Sequence, residues 1–147
     1  MSTPLELAEF AFSEIRESFP DLISRIDRQP DGGVDLEVVF PEQPGLLFEV
    51  ALNLQNVDEL HLNAPGLCVE WFPCTKPEVL IRYVDAVRGV LAGSHRILQH
   101  HRKGCLIKSY LQRPAGESWE TIARYYPGIS LPFLTCETTV VANSPAV

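Results

Sequence analysis

The chain has 147 residues, 46% of them hydrophobic and 21% charged, with a formal net charge of −7 and a pI near 5.0. That is one domain's worth of chain with an ordinary globular balance, and a chain of this size buries roughly 68–70% of its unfolded surface. Phosphate backbones demand a basic footprint, so the acidic balance argues against nucleic acid as the main partner, and no apolar run approaches the roughly 20 residues of a membrane helix.

The N-terminus, Met1-Ser2-Thr3-Pro4, is followed by acidic residues rather than the apolar core of a secretory signal. The four cysteines, Cys68, Cys74, Cys105 and Cys136, are irregularly spaced and form no C-x-x-C pair. They read as reduced thiols of a cytoplasmic protein.

Thr3-Pro4-Leu5-Glu6 is a capping box with proline at the first helical position. Leu5, Ala8, Phe12, Ile15 and Phe19 then recur at helical spacing and predict one apolar stripe, ended by Pro20. Ile23 to Gln29 and Val34 to Phe40 flank Pro30-Asp31-Gly32-Gly33, a strong turn signal, although the first of these segments also suits a short helix. Leu46 to Leu54 alternates, with Leu46, Phe48, Val50, Leu52 and Leu54 on the expected buried face.

The stretch Leu60 to Phe72 predicts a β-hairpin turned by Pro65-Gly66. A two-residue loop sets Leu62 against Val69 and His61 against Glu70; a four-residue loop sets Leu62 against Leu67 and His61 against Cys68. Both registers give the same two faces, because successive strand side chains alternate. Leu60, Leu62, Leu67, Val69 and Trp71 share the core face; Glu59, His61, Asn63, Cys68, Glu70 and Phe72 share the other.

Thr75-Lys76-Pro77-Glu78 predicts a second capping box. Leu80, Val84, Val87 and Leu91 form the inner stripe of the helix it opens, and Gly93 suits its end. Gly89 inside that helix costs about 1 kcal/mol against alanine, which close packing on a sheet would explain. His95 to His101 and Cys105 to Gln112 form a second hairpin of unassigned register. Ser118 is expected to cap a short helix from Trp119 to Tyr125, and Phe133 to Val141 is β-prone.

These elements predict an α+β fold: a single domain over 1–141, with a curved antiparallel sheet of about six to eight strands packed by two main helices, and a flexible tail over 142–147. The element order is similar to that of small α+β modules of immunity or chaperone-like type. That likeness is one of architecture, with no residue tied to it, and a fold does not by itself give a function.

Several constellations could carry chemistry. Cys68 with His61 and Glu70 has the composition of a thiol–imidazole–carboxylate set, which works when the imidazole lowers the thiol pKa and the carboxylate fixes the imidazole. A small cysteine beside a surface histidine and glutamate is the plainer interpretation. His100-His101 and Cys105 have metal-ligand chemistry, but adjacent strand histidines point to opposite faces, so no metal site is assigned. Asp35 and Glu37 alternate as on a solvated strand face. No phosphate-binding glycine loop or nucleophile elbow occurs, and no cofactor is expected. Trp119, Tyr125 and Tyr126 sit in a segment punctuated by proline and glycine, and such aromatics are favoured at binding surfaces.

The function expected on this basis is a non-enzymatic, soluble, cytoplasmic interaction module that binds a protein partner or itself as a homodimer, without membrane or nucleic acid. An acidic module neutralising a basic partner, in the manner of an immunity or chaperone-like protein, is one form of it. The alternative is a small ligand-binding protein or enzyme with a pocket on the His61/Cys68/Glu70 face. The candidate binding residues are His61, Cys68, Glu70, Trp119, Tyr125 and Tyr126.

Overall fold

A computed structural model describes residues 1–144. Helix α1 (Pro4–Ser18) begins as its sequence dictates: the Glu6 N–H donates to the Thr3 hydroxyl at 3.2 Å, and the Thr3 N–H donates to the Glu6 carboxylate at 2.8 Å. Ala8, Ala11, Phe12 and Ile15 form its buried stripe. Leu5, expected on that stripe, is 45% exposed, so the buried stripe begins at Ala8.

A meander follows: β1 (Arg25–Asp27), β2 (Val34–Phe40), β3 (Val50–Gln55), β4 (Glu59–Ala64) and β5 (Leu67–Trp71), in antiparallel sequence order. The β4–β5 register pairs Leu62 with Val69, His61 with Glu70 and Ala64 with Leu67, which is the two-residue loop. Leu36, Val38, Phe40, Leu52, Leu54, Leu60, Leu62 and Val69 line the inner face and are buried. Helix α2 (Pro77–Ala92) packs on that face beside α1, through Tyr83, Ala86, Val87, Val90 and Leu91. Its expected capping box does not form. Pro77 takes the first helical position, so Lys76 becomes the cap and Thr75 lies one residue too far out to bond the third helical N–H. Gly93 ends the helix at φ 79°.

The rest of the chain makes a second antiparallel sheet: β6 (Arg96–Arg102), β7 (Cys105–Ala115), β8 (Ser118–Tyr125) and β9 (Glu137–Val141), in the order β8-β7-β6-β9. The α+β class and the meander hold, but the strands divide between two open sheets rather than one. Trp119 to Tyr125 is strand β8, not a helix. Tryptophan, threonine, isoleucine and tyrosine in this segment favour a pleated surface, and pairing along β7 supplies the backbone partners.

The tip of the β4–β5 hairpin joins the two sheets. The Pro65 carbonyl accepts from Gln99 Nε2 at 2.8 Å, and the Gly66 carbonyl accepts from the fully buried Ser109 hydroxyl. Gly66 is held at φ 65°, and a Cβ there would stand 2.7 Å from Gln99 Nε2, so both the turn and the contact call for glycine. Ile97 and Leu111 of the second sheet complete one core cluster with both helices and the first sheet.

The segment expected to be a loose tail from Ala142 onward lies partly outside the described residues. Within it, Asn143 is buried. Its Nδ2 donates to Gly45 and Leu91 carbonyls at 2.9 and 2.7 Å, and its Oδ1 accepts from the Leu47 N–H at 3.0 Å. This side chain ties the segment after β9 to the β2–β3 connection and to the end of α2.

Candidate functional site

Alternation along the meander sets a polar row across the outer face of the first sheet. Asp27, Glu37, Asn53, His61 and Glu70 are successive cross-strand partners. His61 is only 7% exposed there, with Nε2 2.9 Å from the Glu59 carboxylate. Its Nδ1 and the neighbouring Asn53 Oδ1 are buried without a hydrogen-bond partner. Glu59 also accepts from Asn56 Nδ2 at 2.9 Å, and these two hydrogen bonds hold its carboxyl below the usual carboxylate range.

The structure thus pairs His61 with Glu70 across the strands but spends the imidazole hydrogen bond on Glu59. Cys68 lies one pair further along, opposite Asn63, and is exposed. Partial desolvation of the sulfur against the sheet and the Glu70 charge both push its thiol up, the reverse of what a nucleophile needs. None of the five main clefts among the described residues is lined by His61, Cys68 or Glu70. Among the described residues, no group of three or more His, Cys, Asp or Glu side chains is placed to hold a metal ion. His100 and His101 do diverge: His100 packs edge-on to Tyr110, whereas His101 bonds Gln99 on the opposite face.

The other candidates lead to a different surface. Tyr125 pairs with Ser109 and packs inward on the core. Trp119 and Tyr126 face outward from the second sheet, and both are exposed. The register of β6, β7 and β8 places Arg96, His100, Lys108, Tyr110 and Arg124 on that same outer face. The Arg96 guanidinium carbon lies 4.2 Å from the Trp119 ring centroid, and its Nε donates to Gln112 Oε1 at 2.8 Å. Lys108 and Arg124 flank Tyr110 at 5.7 and 5.9 Å, and Tyr126 meets Tyr110 edge-on at 6.4 Å.

This face is locally basic in an acidic protein. Of 19 carboxylates, 16 fall in residues 1–92, together with six of the 12 lysines and arginines. The remaining six cations share residues 93–147 with three carboxylates, none of which is on the outer face. Glu117 is in the β7–β8 turn, Glu120 pairs with Arg113, and Glu137 stands beside His101 on the inner side. Burial and the Lys108 charge lower the His100 pKa, as expected for an imidazole among cations.

Sequence reasoning missed Arg96, Lys108, Tyr110 and Arg124. Their signal is alternation, in Lys108/Tyr110/Gln112 and Arg124/Tyr126. Register irregularities at His100/His101 and Leu111/Gln112 break that alternation, and a helix assigned to Trp119–Tyr125 scatters it around an axis.

Ile129, Phe133 and Leu134, on the segment between β8 and β9, are exposed as well. No helix among the described residues is long and apolar enough to cross a membrane. Comparison with known proteins finds no matching family model, no matching curated protein and no matching solved structure.

Proposed function

We propose that this protein is an interaction module whose second sheet takes an acidic segment of a protein partner on its outer face. One observation carries the proposal: Arg96, Lys108 and Arg124 share a face with Trp119, Tyr110 and Tyr126, and with no carboxylate, in a chain of net charge −7. Guanidinium groups lying on aromatic rings keep their N–H edges available, and that edge is the geometry a carboxylate accepts in two-point fashion.

The same stacking argues for protein over single-stranded nucleic acid. Bases bind by stacking on open aromatic faces, and here Arg96 already occupies a face of Trp119. The acidic half of the chain would also repel a long polyanion.

A second reading keeps the acidic surface as the contact. The aligned row of Glu37, Asn53, His61 and Glu70, with unpartnered Asn53 Oδ1 and His61 Nδ1 within it, favours a basic partner on the first sheet in the manner of an immunity-type module. The two readings require partners of opposite charge.

Fluorescence anisotropy with a labelled short peptide of alternating glutamate and leucine separates them. The expected result is binding that weakens steeply with salt, is lost in Lys108→Glu/Arg124→Glu and survives in Glu37→Lys/Glu70→Lys. No binding to wild type, or tighter binding of a single-stranded oligonucleotide, overturns the proposal. Binding only of the corresponding lysine–leucine peptide transfers it to the first sheet.

A further inference from the structure

Each open sheet leaves edges, and the protein treats them unequally. β1 is only three residues long, and β5 and β8 lie against each other. β9 is different. Glu137, Thr138, Thr139 and Val140 are all exposed, with Val140 at 54%, and its pairing to β6 runs without a bulge. The strand Glu137-Thr138-Thr139-Val140-Val141 contains no lysine or proline, and its one charge, the inward Glu137, stands at its first position, so Thr138 to Val141 run without a group that blunts an edge. Its threonines and valines are strong strand formers. The unpaired N–H and C=O groups along such an edge are a template for another strand.

We propose that β9 pairs antiparallel with β9 of a second copy about a two-fold axis at Thr139, joining two four-stranded sheets into one of eight strands. The strand is complementary to itself in this register. Thr139 meets Thr139, Thr138 meets Val140, and Glu137 meets Val141, so no like charges face each other and the favourable threonine pair sits at the centre. Side-chain parity is kept, because Thr138 and Val140 already share the outer face with His100 and Leu98.

Five strand residues alone bury less than the roughly 1,200 Å² of a stable interface. Phe133 and Leu134, at 78 and 41% exposure, stand on the segment that leads directly into β9 and add apolar surface to that end of the edge. A partner copy fits this edge better than an acidic peptide does. The cations of the outer face stand on β6, β7 and β8, and none stands on β9 itself. A two-fold pair would also align two cationic faces in one sheet, so that a partner with two acidic segments gains affinity by linkage rather than by new contacts.

Sedimentation velocity over a concentration series tests the pairing. The expected result is a monomer–dimer equilibrium for the wild type and a monomer for Val140→Lys at every concentration, with an unchanged far-ultraviolet circular dichroism spectrum. A cysteine reporter fixes the register. In a background of Cys68→Ser, Cys105→Ser and Cys136→Ser, Thr139→Cys should cross-link to itself on mild oxidation, because directly opposed Cα atoms stand about 4.5–5.5 Å apart, within disulfide reach. Thr138→Cys, opposed to valine, should not. A wild type that stays monomeric, a Val140→Lys protein that still dimerises, or a Thr138→Cys protein that cross-links as readily as Thr139→Cys overturns the proposal. A monomeric result leaves the cationic-face reading intact, since peptide binding is measured separately.

Discussion

The Arg96 guanidinium lies over the Trp119 indole, its central carbon 4.2 Å from the ring centroid, and this contact reaches across β7 to link β6 to the edge strand β8. The arrangement fixes a long cationic side chain that would otherwise be disordered in solvent, and its Nε is anchored on Gln112. Fixing the side chain before a partner arrives removes part of the ordering cost of binding.

Arg96→Ala should therefore cost little stability, on the order of 0.5–1 kcal/mol for an exposed cation–π pair. The Trp119 indole N–H resonance should shift and broaden, and affinity for an acidic peptide should fall. Thermal unfolding and two-dimensional NMR check the two effects separately.

Gly89 and His95 form a tight pair. A Cβ at Gly89 would sit 2.0 Å from His95 Nδ1, and the His95 N–H donates to the Gly89 carbonyl at 3.0 Å. Gly89→Ala should gain about 1 kcal/mol of helix propensity yet destabilise overall, because overpacking of this kind costs typically 1–3 kcal/mol and the ring must leave its seat altogether. In a His95→Ala background the same substitution should become neutral or stabilising. Urea unfolding of the four proteins in this cycle measures the coupling.

Asn143 makes three hydrogen bonds from a buried position. Asn143→Ala should destabilise by about 2–3 kcal/mol, since it leaves buried backbone groups without partners. Ser144→Ala, at an exposed neighbour, should be close to neutral. Equal effects from both would mean that the segment after β9 is not anchored through Asn143.

Acid should destabilise the fold in two separate windows. The pKa of His95 is lowered first by burial and then by Arg113, and that of His100 first by burial and then by Lys108. The unfolded chain therefore takes up protons on these groups first, so stability falls as pH drops below the ordinary imidazole value of about 6.5. The Glu59 pKa is lowered by its bonds to Asn56 and His61. Its contribution is present above the ordinary carboxylate range and is lost as pH falls through the lowered value. Urea midpoints against pH should show both losses, and Glu59→Gln should flatten only the more acidic one.

What was legible in the chain follows from how local each signal is. Pro65-Gly66 specifies a two-residue turn, and alternation on either side assigns both faces of the β4–β5 hairpin. The Thr3 capping box forms because Pro4 sits at the first helical position, whereas the same letters at Thr75 fail because proline is displaced by one residue. The cationic face was not legible. It is assembled from three strands whose register passes through two irregularities, and its parity emerges only when β6, β7 and β8 are aligned. Asn143 carries no pattern at all, since its partners Gly45, Leu47 and Leu91 lie far away in the chain.

The cationic face is tested most directly by a chemical-shift map of the protein titrated with the short glutamate–leucine peptide at low salt. The largest changes should fall on Arg96, Lys108, Tyr110, Trp119 and Arg124, with Glu37, His61 and Glu70 undisturbed. Changes centred on the first sheet, or none that saturate, would contradict the cationic-face reading.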